Sequence, residues 1–244
     1  MKNHCERAVG YCGRTGLTGS GLKWIALATM FVDHFAAVIA GPCLGVSEQM
    51  YLVLRGIGRL AFPIFCFLLV EGYHYTHSKR TYALRLFAFA LLSEIPFDLA
   101  IHGVLLEGHG QNVFFTLCIG LLTIWGVDVL WQRQTTRVEG VLLPLVCVVA
   151  GMLAAEVLHT DYGAVGVLAI VLMYLGNRRS GVQGMTYGCV ALLLSSWLEL
   201  VALVDVALIR CYNGGRGRQR KGVFYVFYPA HLFLLYVLAW LLTR

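Results

Sequence analysis

Charge is scarce in this chain. Only 13% of its 244 residues are Asp, Glu, Lys or Arg, against 59% hydrophobic residues. No stretch between the apolar runs is long enough for a soluble domain, which argues against a water-soluble protein of one or two domains. The expectation is a polar, cytoplasmic tail over residues 1–21 and one integral membrane domain over 22–244. The eight cysteines contain no Cys-x-x-Cys pair, and several sit inside apolar segments. They read as small buried hydrophobes, with neither a metal site nor a disulfide framework expected. The tail lacks the short apolar core and cleavage site of a secretory signal, so the first helix is expected to remain. No internal repeat is visible. The net charge of +6 is spread over loops, which speaks against nucleic-acid binding.

What is present is a series of apolar segments, drawn at 22–41, 50–73, 81–101, 112–131, 141–158, 163–176, 183–196, 197–210 and 223–242. They predict an all-α, polytopic transmembrane bundle of about nine segments, in contact with the lipid bilayer. Eight are possible if 183–210 is one helix. Loop charge bears on that choice. Lys2, Arg7, Arg14 and Lys23, then Lys79 and Arg80, Arg133 and Arg137, and Arg178 and Arg179 mark alternate loops, while the others carry Glu48, Glu107 and Asp161. By the positive-inside rule the basic loops are cytoplasmic. The basic loop at 213–222 must then share a side with Arg179, which needs an even number of crossings between them. Two short helices meeting near Ser195–Trp197 satisfy this, although each is short for a span.

The polar residues inside the apolar segments are few, and each is a functional candidate by cost alone. Asp33 lies ~16 Å along the first segment at 1.5 Å per residue, near the midplane of a hydrocarbon core ~30 Å thick. Its neighbour His34 points ~100° away, so the two reach different helices. A neutral imidazole is less costly to bury than a carboxylate and titrates near neutrality, which suits a general base. His231 on the last segment is the other candidate. Arg55 and Arg59 share one helix face, and Pro63 is expected to kink that helix. Glu94 and Asp98 share a face of the third segment, with Pro96 between them, so ion pairs from Arg55 or Arg59 to Glu94 or Asp98 are the plain structural expectation. Glu107, His109 and His159 read as solvated loop residues, and Asp161 as an N-cap. The Gly/Arg loop at 213–222 offers backbone N–H groups and cations, either as a phosphate cradle or as an orientation signal against anionic lipid.

The runs LKWIALATMFVDHFAAVI, LRGIGRLAFPIFCFLLVEGYHYT, LRLFAFALLSEIPFDLA, NVFFTL, DYGAVGVLAIVL, YNGGRGR and FYPAHLFLLYVL occur in this order over almost the whole chain. With them the sequence resembles the TraX family of bacterial inner-membrane proteins. The resemblance implies an acyltransferase-like helical fold, a cytoplasmic acetyl-CoA donor and a link to pilin acetylation. It marks Asp33, His34, Arg59, Glu71, Glu94, Asp98, Asn112, Tyr162 and His231 as motif positions.

The expected activity is therefore acetyl transfer from cytoplasmic acetyl-CoA to an amine or hydroxyl of a pilin N-terminus, an envelope glycan or a lipid head group. The candidate catalytic set is His34, Asp33, Arg59, Glu94, Asn112 and His231, with His34 or His231 as the base and Arg59 or Asn112 on the oxyanion. Lys79, Arg80, Arg216, Arg218 and Arg220 are the candidate cations for the CoA phosphates. Two other classes account for the same intramembrane charges. A transporter would carry an inverted repeat, and a non-enzymatic pilus or envelope assembly factor would tolerate charge-conserving swaps.

Overall fold

The computed structural model describes residues 16–244 except 109, 219 and 220, with nothing said of the Lys221 side chain. Every regular element among the described residues is helical. In chain order they are α1 (Gly19–Phe35), α2 (Glu48–Gly58), α3 (Ala61–Tyr75), α4 (Lys79–Ile101), α5 (Val113–Arg133), α6 (Glu139–Val157), α7 (Gly163–Asn177), α8 (Gly181–Leu192), α9 (Val204–Arg210) and α10 (Lys221–Leu242). A π-helical turn, Ala36–Ala40, extends α1, and a 3-10 segment, Trp197–Leu203, leads into α9. Grouping α1 with its π turn, α2 with α3, and the 3-10 segment with α9 gives the nine expected segments. Their ends fall within three residues of the sequence boundaries except at 196, where the seventh segment stops at Leu192.

Among the described residues, five helical stretches are long and apolar enough to cross a bilayer: Gly19–Ala40, Glu48–Tyr75, Val113–Arg133, Glu139–Val157 and Gly222–Leu242. The chain is thus a multi-pass membrane protein. Helix α4 is long enough but carries Lys79, Arg80, Arg85, Glu94 and Asp98. Helix α3 is apolar on all sides from Ala61 to Val70 and lies at the centre, with Ile64, Cys66, Phe67 and Val70 shut off from the surface. Helix α6 is peripheral: only Pro144 and Ala155 are buried along its length.

Two breaks set the geometry. The second segment is interrupted between Gly58 and Ala61, where Arg59 and Leu60 form a turn. Pro63 falls in the first turn of α3, where its missing N–H has no helical partner to lose. Pro96, by contrast, is accommodated inside a continuous α4. The second break is the hairpin α8–α9. Its first arm is 12 residues long, ~18 Å by helical rise, and it turns at residues 193–196. The Cys189 thiol donates to the Ala202 carbonyl across the arms at 3.2 Å. Gly176 and Gly184 let α7 and α8 approach so closely that a Cβ on Gly184 would stand 2.7 Å from the Met173 carbonyl.

The hairpin returns the chain to its starting end, as the loop charges required. Asn213 Nδ2 donates to the Gly16 carbonyl, the Arg216 guanidinium lies over the Tyr75 ring, Lys79 pairs with Asp128, and Arg178 lies over Trp131. This is the basic end of the bundle. At the other end, Gln111 N–H donates to the His159 carbonyl at 2.9 Å and Asp161 N–H to the Gln111 carbonyl at 2.8 Å, tying the α4–α5 and α6–α7 loops together.

Candidate functional site

Asp33 is 8% exposed and is held by two guanidiniums. Arg55 Nη1 lies 2.6 Å from Oδ2, and Arg59 Nη2 lies 3.0 Å from Oδ1. Arg59 Nη1 reaches Glu199 Oε1 at 3.4 Å, and Glu199 is 1% exposed. The expected pairs with Glu94 and Asp98 do not form. A shared face fixes which arginines act together, not which helix they meet: α1 packs on α2 and α3, whereas α4 packs on α5 and α10. Helix α1 comes in against Gly58, where an added Cβ would overlap the Asp33 carboxylate.

Glu94 and Asp98 make other contacts. Glu94 accepts from the Asn112 side-chain amide, and Asp98 Oδ2 accepts from Glu107 N–H at 2.9 Å. Asn112 caps α5 by accepting from Phe114 N–H at 3.0 Å, and its other amide hydrogen goes to the Ala90 carbonyl at 2.8 Å. Both donors of Asn112 are therefore engaged in joining α4 to α5. Glu71 accepts from Asn177 Nδ2 at 3.0 Å.

His34, unlike Asp33, reaches α10. Its Nδ1 lies 2.8 Å from His231 Nε2, and His231 Nδ1 lies 2.7 Å from the Phe227 carbonyl oxygen. A carbonyl only accepts, so His231 Nδ1 carries a hydrogen. For a neutral His231, Nε2 is then the acceptor and His34 Nδ1 the donor. The reverse direction would make His231 an imidazolium, 4% exposed and with no carboxylate at ion-pair distance among the described residues. This chain of two hydrogen bonds makes His34 Nε2 the lone-pair nitrogen, with no hydrogen-bond partner among the described residues. His231 thus has both ring nitrogens engaged, and His34 has one engaged among the described residues.

His34, Asp33 and Arg59 line one small cavity with Gly58, Asp161, Tyr162 and Tyr228. It holds about 40 Å³, room for roughly three waters by the space one water needs, so only the small reacting end of a ligand fits there. Arg59 has both Nη atoms in ion pairs, while its Nε is buried with no hydrogen-bond partner among the described residues. Tyr162 stands in the left-handed region (φ 64°), stacked on Phe62 with centroids 3.7 Å apart, and the Arg59 guanidinium lies 5.6 Å from the Tyr162 centroid. A left-handed tyrosine costs roughly 1–2 kcal/mol, a strain that recurs at functional sites. Asp161 lines this cavity but does not cap α7 as expected: the N-cap is Tyr162, and Glu156 accepts from Ala164 N–H at 3.1 Å.

The candidate cations gather at the basic end. Lys79 Nζ is engaged by Tyr73 Oη at 2.7 Å and Asp128 Oδ2 at 3.0 Å. Arg80, Arg216 and Arg218 are exposed there, and the Arg218 carbonyl accepts from Ser20 Oγ at 2.8 Å. Arg220 and His109 lie outside the described residues.

Sequence reasoning missed Glu199, Gly58 and the π turn. Glu199 did carry a signal, since it is the one acid between Asp161 and Asp205 and sits in an apolar run. The π turn, which begins two residues after His34, has none.

These features are those of a polytopic helical membrane protein with a buried Asp–Arg–Glu network beside a histidine pair. Within that class, the chain belongs to the TraX family, whose model, described as TraX protein, matches residues 18–239. It is similar to a Dichelobacter nodosus protein described as "Probable fimbrial assembly protein FimC, serogroup H1", 27% identical over 240 residues, covering 88% of this chain and 92% of the relative. No solved structure matches it.

Proposed function

We propose that this chain is an inner-membrane acetyltransferase in which His34 Nε2 is the general base. The observation that carries the reading is the chain His34 Nδ1–His231 Nε2, His231 Nδ1–Phe227 carbonyl, which leaves Nε2 as the lone-pair nitrogen of a His34 that lines a cavity with Arg59. The base is oriented from behind by a second group, as nucleophile-activating bases generally are.

In the proposed reaction an acceptor amine or hydroxyl loses its proton to His34 Nε2 as it attacks the thioester carbonyl of acetyl-CoA. The new C–N or C–O bond forms, and negative charge collects on the carbonyl oxygen. Arg59 Nε–H is suited to hold that charge, being buried and otherwise unpartnered. Collapse breaks the C–S bond, and the proton held by His34 passes to the departing thiolate. Asp33 and Glu199 fix Arg59 in place. Glu94 and Asn112 brace α4 on α5. The CoA phosphates are assigned to Arg80, Arg216 and Arg218, with Lys79 nearby, at the end taken as cytoplasmic.

The relative's description as a fimbrial assembly protein favours a pilus or fimbrial subunit as the acceptor. It equally favours an assembly role without chemistry. Purified chain in liposomes, given radiolabelled acetyl-CoA and the pilus subunit of its own host, separates the two. Label on the subunit supports transfer. Absence of transfer to subunit, glycan and lipid alike, with subunit binding retained, supports the assembly role.

A further inference from the structure

The basic end holds a second, larger cavity, apart from the histidine pair. It measures about 760 Å³, within the range of ligand sites, and lies between the end of α5, the α5–α6 loop and the residue after α7. Two guanidiniums, Arg137 and Arg178, line it. Neither has an ion-pair partner among the described residues.

The site is built rather than incidental. The Arg178 guanidinium rests 4.8 Å from the Trp131 centroid, and that ring continues a stack through Tyr174 to His74. Stacking holds a planar cation in one place while its N–H groups remain available. Trp131 Nε1 donates to the Gly140 carbonyl at 3.0 Å, which closes the α5–α6 loop. Glu139 is occupied by the Thr135 hydroxyl at 2.6 Å, so that carboxylate is engaged within the loop. The cavity's one lining carboxylate is Asp128. It accepts from Tyr73 Oη at 2.7 Å, Lys79 Nζ at 3.0 Å and Tyr174 Oη at 3.2 Å, which offsets its charge. Two free guanidiniums therefore stand against one neutralised acid, at the edge of a helix, α6, that is almost wholly surface.

We infer that this cavity binds a phosphate-bearing ligand through Arg137 and Arg178. Planar guanidiniums pair with phosphate oxygens two at a time, and a polar, positively lined cavity at a membrane surface admits either an anionic lipid headgroup or a soluble phosphate compound. The inference does not rest on acetyl transfer, and its key residues lie outside the set assigned to that reaction.

The test compares the full chain with the Arg137→Gln/Arg178→Gln variant. Both side chains are exposed, so the variant is expected to keep its melting temperature. One arm titrates pyrophosphate into protein in neutral detergent. The other measures phosphatidylglycerol retained from mixed phosphatidylglycerol–phosphatidylcholine nanodiscs by native mass spectrometry. Loss of at least one of these by about tenfold or more per guanidinium is expected from charge-assisted pairs. Pyrophosphate binding that the variant loses identifies a soluble phosphate ligand, and phosphatidylglycerol retention that the variant loses, without such pyrophosphate binding, identifies a headgroup. Equal behaviour of wild type and variant toward both probes overturns the inference.

Discussion

His34 Nδ1 stands 2.8 Å from His231 Nε2, across the interface of the first and last helices. Because the Phe227 carbonyl fixes the hydrogen on His231 Nδ1, the contact sets the tautomer of His34 as well as its orientation. His231→Phe keeps a ring in that space and removes the acceptor. Turnover is expected to fall by about 10²-fold or more, the scale of losing an oriented acid–base group. The KM for acetyl-CoA should stay near the wild-type value, because the cations proposed for the donor lie at the other end of α1. Steady-state kinetics on liposomes check this split. A parallel rise in KM would place His231 in donor binding instead.

Gly58 is the point where α2 lets α1 approach. Gly58 is the last residue of α2, so the roughly 0.5–1 kcal/mol that alanine gains over glycine in a helix interior applies there only in part. Here the new Cβ would overlap the Asp33 carboxylate, and overpacking of this kind costs ~1–3 kcal/mol. The steric term wins, so Gly58→Ala is expected to lower the melting temperature in detergent. Gly45, where an added Cβ meets nothing within 4 Å but φ is 58°, provides a comparison in which strain acts without a clash.

The two arginines that hold Asp33 are not equivalent. Arg59 also pairs with Glu199, and its side chain is 17% exposed against 27% for Arg55. Arg59→Ala leaves two buried carboxylates short of a partner and is expected to cost about 3–5 kcal/mol, the range for breaking a buried pair. Arg55→Ala leaves Asp33 with Arg59 and is expected to cost less, about 1–2 kcal/mol. Denaturation of the two variants in detergent gives the order. If Arg55→Ala proves the more damaging, the network is anchored differently.

The hairpin makes a topological prediction. Single cysteines at Arg179 and Asn213, placed in a cysteine-free background, should react with a membrane-impermeant thiol reagent from the same side as a cysteine at Arg80, and from the side opposite Glu107. Labelling of Arg179 and Asn213 positions from opposite sides would mean that 181–210 crosses as one segment.

Much of this architecture was legible because hydropathy and loop charge act over whole segments. The alternation of basic and acidic loops required the return between Arg179 and Asn213, and α8 and α9 provide it. The 100° step between Asp33 and His34 correctly sent them to different helices. Partner identity was not legible in the same way. Spacing places Arg55 and Arg59 on one face, but the choice between Asp33 and Glu94 depends on the order in which helices pack. Glu199 shows the same limit. Its burial follows from a hairpin that brings a short 3-10 segment up to Arg59, and no local pattern encodes that approach.

Transfer from radiolabelled acetyl-CoA by His34→Ala and wild-type protein, reconstituted side by side, decides whether His34 Nε2 takes the acceptor's proton. The expected result is a fall of at least about 10²-fold in turnover, with the melting temperature and acetyl-CoA binding retained. Undiminished transfer by His34→Ala would contradict the account and remove the histidine pair from the chemistry.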